Sequence, residues 1–434
     1  MRRRKGPPVH ILIVALALWF TLIESTEALS GGIIDATSWE RAEGLLPDSI
    51  LNWVKNGYLV LDVGELNYDP AEYLPQHVLD SLQTNAGRYE IDETGWIVDA
   101  QTAEAAQHIV GFPFPKINSE AQEAGEKIIH NEVYTWNVHG NLRLVFQLKW
   151  IHPSSGLERE IDIHGQVAVL QGWPGIKAFP NKALVEKYQI VLVAAPVDIK
   201  GTAVMTWRYM SPDKQDSTFG YIPSIRRVRQ MSPANRSDAF VGSDNCLDDG
   251  NVYDGKVQAF AWKFLRKQEA IVPFLDENPQ PIEQYRTGEW CTTNRQKYII
   301  NGFEKEGWQG AAWAPTNLLW VRRPICVIEM RAKDPYYNYG VQYLWADAET
   351  FSGYYKVIHD RADSYWKTMV TAFSGYEGKG GEMRLTTVAH SLMVDDRTRH
   401  ATAIEGASRR NTLTYFADVN QRDFTLAGFQ KFCR

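Results

Sequence analysis

Residues 142–150 read LRLVFQLKW, and this stretch decides the fold. Leu142, Leu144, Phe146, Leu148 and Trp150 alternate with Arg143, Gln147 and Lys149. A period of two puts the apolar set on one face of a half-buried strand. Ser154-Ser155-Gly156 supplies a turn, and the pattern then returns: Ile161, Ile163, Val167 and Val169 alternate with Asp162, His164 and Gln166. Toward the C-terminus the same grammar predicts strands over 190–194, 203–209, 257–265, 327–332, 341–346, 353–359, 365–371, 383–394 and 398–405. Many strands joined by short turns, with helical periods sparse after residue 137, indicate a mainly β (α+β) chain. Its antiparallel sheet is expected to curl into a barrel or half-barrel, and a parallel α/β sheet is excluded.

Toward the N-terminus the pattern changes. Ile50, Leu51, Trp53 and Val54 share one face of a predicted helix over 47–56, with Pro47 in its first turn and Gly57 as its stop. A second helix is predicted over 119–130, capped by Ser119 and striped by Ala121, Ala124 and Ile128. Gly111-Phe112-Pro113-Phe114-Pro115 must be extended between them, because each proline pushes its predecessor out of the α region. Residues 84–94 read as loop. The organisation expected is a leader over 1–30, an N-terminal arm of short helices over 31–135, and the β half-barrel domain over 136–434.

The leader follows from its order of parts. Arg2, Arg3, Arg4 and Lys5 precede an apolar run from Ile11 to Ile23, and Ala28-Leu29-Ser30 offers small residues before Gly31. That is the signature of a secretory signal peptide, and the run falls short of the ~20 residues a spanning helix needs. A soluble protein in the periplasm is expected after cleavage. Removing residues 1–30, with four Lys/Arg and two Asp/Glu, moves the net charge from −6 to −8. An acidic surface argues against nucleic acid as a partner, since phosphate binding needs a basic stripe. Cys246, Cys291, Cys326 and Cys433 allow three full pairings, and an oxidising compartment favours at least one disulfide. Their spacing contains no CxxC.

The search for chemistry returns no catalytic residue, metal site or cofactor. GxSxG, a phosphate loop ending in Lys-Ser/Thr and HExxH are all missing from the sequence. The ten histidines are scattered, none paired with another at i+2 to i+4. What stands out instead is aromatic. Trp207, Tyr209, Phe260, Trp262, Phe264 and Trp345 fall on predicted strands in a chain with 15 tryptophans. Either they fill a core or they line a concave face left open for an acyl chain or other hydrophobe. Periodicity does not choose between the two. A second feature is basic: Arg226, Arg227 and Arg229 follow Tyr221 and precede Asp244, Asp248 and Asp249. The arginines either meet an anionic head group or clamp these aspartates across a long loop.

The block from Thr206 to Phe274 also resembles a known pattern. A strand leading to Tyr221-Ile222-Pro223, the run Arg226-Arg227-Val228-Arg229, then Ser237-Asp238-Ala239-Phe240-Val241-Gly242-Ser243-Asp244 with Asp248-Asp249, is similar to outer-membrane lipoprotein-sorting (LolA/LolB-like) proteins. More specifically it resembles a proteobacterial family known only as domain of unknown function 1329. Glu43–Pro47, Gly111–Pro115, Ala195-Pro196, Tyr343–Thr350 and Asp423-Phe424-Thr425 extend the likeness over most of residues 43–432. The resemblance implies a curved sheet wrapped around helices with an apolar cavity, and a non-catalytic carrier of lipid or other hydrophobic ligand. It further implies a companion among efflux-type inner-membrane transporters or outer-membrane proteins. Carbohydrate binding and a ligand-free structural role are the alternatives.

Overall fold

The alternation at 142–150 folds as a strand of 11 residues, Leu142–His152, and its successor as one of 14, Gly156–Val169. A computed structural model of the chain describes residues 31–175, 181–286, 288–406, 410 and 412–433. The leader read over residues 1–30 lies outside them. In chain order the strands are β1 (Gly32–Ile34), β2 (Leu61–Val63), β3 (Tyr89–Ile91), β4 (Ile97–Asp99), β5 (Leu142–His152), β6 (Gly156–Val169), β7 (Val185–Ala195), β8 (Ala203–Tyr209), β9 (Ser217–Ile222) and β10 (Arg227–Met231). They continue with β11 (Phe260–Phe274), β12 (Gln280–Arg286), β13 (Glu289–Thr292), β14 (Leu319–Ala332), β15 (Gln342–Asp347), β16 (Gly353–His359), β17 (Tyr365–Glu377), β18 (Arg384–Asp395), β19 (His400–Glu405) and β20 (Thr412–Tyr415). The α-helices are α1 (Asp48–Lys55), α2 (Gln76–Thr84), α3 (Ala124–Asn137) and α4 (Leu426–Phe432).

The fold is mainly β, one large curved sheet with few helices. Its long ladders are antiparallel and run β10-β9-β8-β7-β6-β5-β19-β18-β17-β16-β15-β14-β11. Three short parallel contacts make it mixed where pure antiparallel pairing was expected: β14 with β2, β11 with β17, and β12 with β17. The sheet curls far enough for its strands to return to earlier ones. Through Phe274 opposite Phe373, the pairing of β11, β14, β15, β16 and β17 closes on itself.

Register assigns side chains to faces, since directly paired residues share one. One face carries Leu148, Trp150, Ile161 and Met393, and on β11 and β14 Trp262 opposite Met330. It is covered by α3 and the segment 240–258, which share a core with Phe260, Ile328, Met330 and Leu344. The opposite face carries Val327, Trp345, Tyr355 and Val370 and packs against Ile50, Trp53 and Val54 of α1 and Trp313. On β7–β9 that same face carries Ile190, Met205, Phe219 and Tyr221, covered by Phe424 and by Phe429 of α4.

Several expectations are corrected. The second helix begins at Ala124, not Ser119, and continues to Asn137. His130, Asn131, Glu132, Thr135 and Asn137 break its apolar stripe, yet all are buried, because a helix enclosed on every side needs no amphipathic pattern. Residues 84–94 are not all loop: α2 ends at Thr84 and β3 pairs with β4. The strand expected from Val257 starts at Phe260, after a 3-10 turn. No disulfide forms, and all four cysteines are free. Cys246 and Cys326 share one core, Cys291 sits beside Thr414 Oγ1 and Cys433 packs under α4, so the expected bridge lacks partners brought face to face.

Candidate functional site

A groove of about 620 Å³ lies between the closed ring of strands and residues 44–52. Its floor is Leu265, Val327, Tyr343, Trp345 and Val357, and its other wall is Leu46 with the start of α1. Trp345 pairs with Val327 on β14 and with Tyr355 on β16, and Val357 pairs with Tyr343, so these side chains share the ring's inner face. The far end of the ring is filled by Phe274, Tyr354 and Phe373. A bulge in β11 between Phe264 and Arg266 resets the alternation. Phe264 stays with the α3 face, whereas Leu265 and Arg266 both line the groove. Bulges are a standard means of re-aiming a side chain at a site.

The α1 wall is anchored. Ile271 N donates to Leu45 O at 2.9 Å, Thr368 Oγ1 to Ser49 Oγ at 2.7 Å, and Trp53 Nε1 to Asp396 at 2.9 Å. Tyr365 donates to Asp396, and burial with that carboxylate pushes its phenol well up, so it stays a donor. The rim is polar: Asp48, Asn52, Arg266, Gln268 and His359. The Arg266 guanidinium lies 5.7 Å from the Trp345 ring centroid, within cation–π range. No cluster of metal-ligating side chains occurs among the described residues.

Behind the opposite face lies a buried charge network. Arg208, 3% exposed, donates to Asp216 at 3.0 Å and Asp254 at 2.8 Å. Arg236 reaches Asp216 at 2.9 Å and Asp248 at 2.7 Å. Lys187 lies 2.6 Å from Asp254, and Lys356 lies 2.6 Å from Asp249, to which Tyr339 also donates at 3.0 Å. These pairs pin the 236–256 segment into the sheet. Glu132 on α3 is fully buried with neither carboxylate oxygen partnered. Burial, with Asp254 nearby, holds its carboxyl well above the ordinary range. Burial likewise holds the imidazole of His130 down at about 3, so it is neutral.

The residues singled out in sequence are not brought to one place. Trp345 lines the groove. Phe260, Trp262 and Phe264 belong to the α3 core on the other face. Trp207 and Tyr221 pack under the C-terminal segment, Trp207 Nε1 donating to Phe424 O at 2.9 Å, and Tyr209 lies with Val185. Arg226, Arg227 and Arg229 are exposed and do not clamp the aspartates. Asp248 is held by Arg236, Asp249 by Lys356, and Asp244 by His400 Nδ1 and Thr402 Oγ1, each at 2.7 Å. Sequence reasoning missed Leu46, Leu265, Arg266 and His359. Of the groove's lining, Leu265, Val327, Tyr343, Trp345, Val357 and His359 fall on predicted strands, and Trp345 alone was named as a candidate.

Residues 33–430 match the model of the family described as protein of unknown function (DUF1329). The chain belongs to this family. No curated protein matches it. Among solved structures it is similar to a domain described as outer membrane lipoprotein-sorting from Vibrio parahaemolyticus, at 13% identity and TM-score 0.47, covering 71% of this chain and 100% of that one. A DUF1329 family protein from Desulfovibrio piger is similar at 14% identity and TM-score 0.45, over 70% and 97% of the two chains. A LolA superfamily protein from Nitrosomonas europaea follows at 12% identity and TM-score 0.39, over 69% and 97%.

Proposed function

We propose that this DUF1329 chain is a periplasmic, non-catalytic carrier that binds one lipid or comparable hydrophobic compound in the groove between α1 and the β11–β14–β15–β16 floor. The groove's form carries the reading: about 620 Å³ with an aromatic and branched floor and a polar rim. That volume lies in the range of small-molecule sites, ~300–1,000 Å³, where apolar walls supply binding and a few polar groups set orientation. Each Å² of apolar ligand surface taken from water contributes roughly 25 cal/mol. Release to an efflux-type inner-membrane transporter or an outer-membrane protein is part of the proposal. Export rests on residues 1–30, and no helix among the described residues is long and apolar enough to cross a membrane.

Delipidated protein mixed with an envelope lipid extract and repurified is expected to retain one lipid per chain by native mass spectrometry. Val357→Trp, which fills the floor from a half-buried position, is expected to lower retention at least ~10-fold, as over a kcal/mol of apolar contact is lost. Absence of bound lipid on the wild type, or equal loading of the variant, would overturn the assignment.

A further inference from the structure

The arginine run that the groove leaves unused stands at a corner where two turns meet. Ala203 pairs with Tyr221, so the β7–β8 connection over 196–202 lies beside the β9–β10 turn over 223–226. The approach is close: a Cβ on Gly201 would stand 3.1 Å from Pro223 Cγ and 3.0 Å from the Cys433 carbonyl oxygen. The end of α4 joins them, Gln430 Nε2 donating to Arg226 O at 3.1 Å.

Three apolar side chains project from this corner: Val197 is 88% exposed, Ile222 50% and Ile225 43%. Lys200, Arg226, Arg227, Arg229 and Lys431 surround them, all exposed. Segments 196–202 and 222–230 together hold four of these cations and one carboxylate, Asp198, in a chain of net charge −6. Among the described residues none of the four forms an ion pair. Charges on the free edge of β10 oppose edge-to-edge pairing. That role does not call for Val197, Ile222 and Ile225 to stand in water beside them. Apolar side chains that enter an interface, ringed by cations that hold anionic head groups, are how a protein rests on a membrane.

We propose that this corner docks the protein reversibly on a bilayer surface carrying anionic head groups. Val197 on one turn and Ile222 and Ile225 at the other, the last two about half exposed, offer far less apolar area than the ~800 Å² per partner that a stable protein interface buries. A fluid bilayer accepts separate tips. The corner belongs to β7–β10 and the groove to β11 and β14–β16, so docking stands independently of ligand binding.

The test is co-sedimentation of the exported protein with phosphatidylcholine vesicles, with and without phosphatidylglycerol. Binding is expected only with phosphatidylglycerol and should weaken as salt rises. The double variant Val197→Asp/Ile225→Asp and the double variant Arg227→Glu/Arg229→Glu should each lower affinity at least ~10-fold. Unchanged urea midpoints would show that they fold. Val357→Trp should bind vesicles as the wild type does, which separates this proposal from the groove assignment. Equal binding to both vesicle types, or variants that sediment like the wild type, would overturn it. So would a wild type that ignores vesicles and binds a soluble envelope protein through these residues.

Discussion

Lys356→Met is expected to lower the stability of the protein by about 3–5 kcal/mol, the usual cost of leaving one member of a buried ion pair uncompensated. The Lys356 and Asp249 side chains are both 0% exposed and 2.6 Å apart. Burial acts against each charge, yet Lys356 is held up by Asp249, and Asp249 is held below its ordinary range by Lys356. The pair joins the α3 face of the sheet, through β16, to the 240–258 segment, where Cys246 N donates to Asp249 at 2.7 Å. A urea melt reads the effect as a fall in midpoint at unchanged slope. The double variant Lys356→Met/Asp249→Asn should recover much of the loss, because no charge is then left unpaired in a low-dielectric interior. If the single variant stays within about 0.5 kcal/mol of wild type, the level of ordinary surface changes, the pair does not hold the segment.

Glu132→Gln is expected to act in the other direction and to do so only as pH rises. The folded protein keeps the Glu132 carboxyl protonated well above its ordinary range, whereas the unfolded chain releases that proton near pH ~4.3. A group whose folded pKa is raised contributes stability below the unfolded pKa and loses it as pH climbs toward the folded value. Over that window the loss is up to about 1.4 kcal/mol per pH unit. Glutamine keeps the shape and carries no proton to lose. The stability difference between variant and wild type should therefore be small at pH 3, grow in the variant's favour as pH rises above the unfolded value, and level off once the folded carboxyl ionises. A difference that does not change with pH would mean that Glu132 is solvated or paired. The carboxylates of Asp216, Asp249 and Asp254 have the opposite sign, since neighbouring cations hold them low despite burial. Acid therefore weakens their pairs while relieving Glu132.

Elements whose burial is one-sided were legible in the sequence. β5, β8 and β16 appear where alternation placed them, and α1 where its apolar stripe did, within two residues. α3 was misplaced because it is buried all round, and polar side chains that find partners inside a protein look, in sequence, like solvent-facing ones. β13 and β20, four residues each, are too short to show a period, and in β12 the apolar Ile282 and Tyr285 stand three apart, which breaks the alternation.

The site divides along the same line. Trp345 was identified as an aromatic strand residue, which is a local property. That Leu46 would face Trp345 across a groove depends on contacts some 300 residues apart. The Leu265 bulge shows the limit well: one extra residue in β11 turns Arg266 toward the groove and separates it from Phe264, and no period in the sequence marks it.

Strand alternation from residue 142 onward determined the mainly β class by itself, because the period of two is imposed residue by residue on a half-buried strand. The hydrophobic order of residues 1–30 by itself motivated export. Tertiary structure decided which strands return to one another, which aspartate meets which cation, and where the aromatic face is filled or left open. These are matters of pairing between distant segments, and a side chain's type states what it needs without stating which neighbour supplies it.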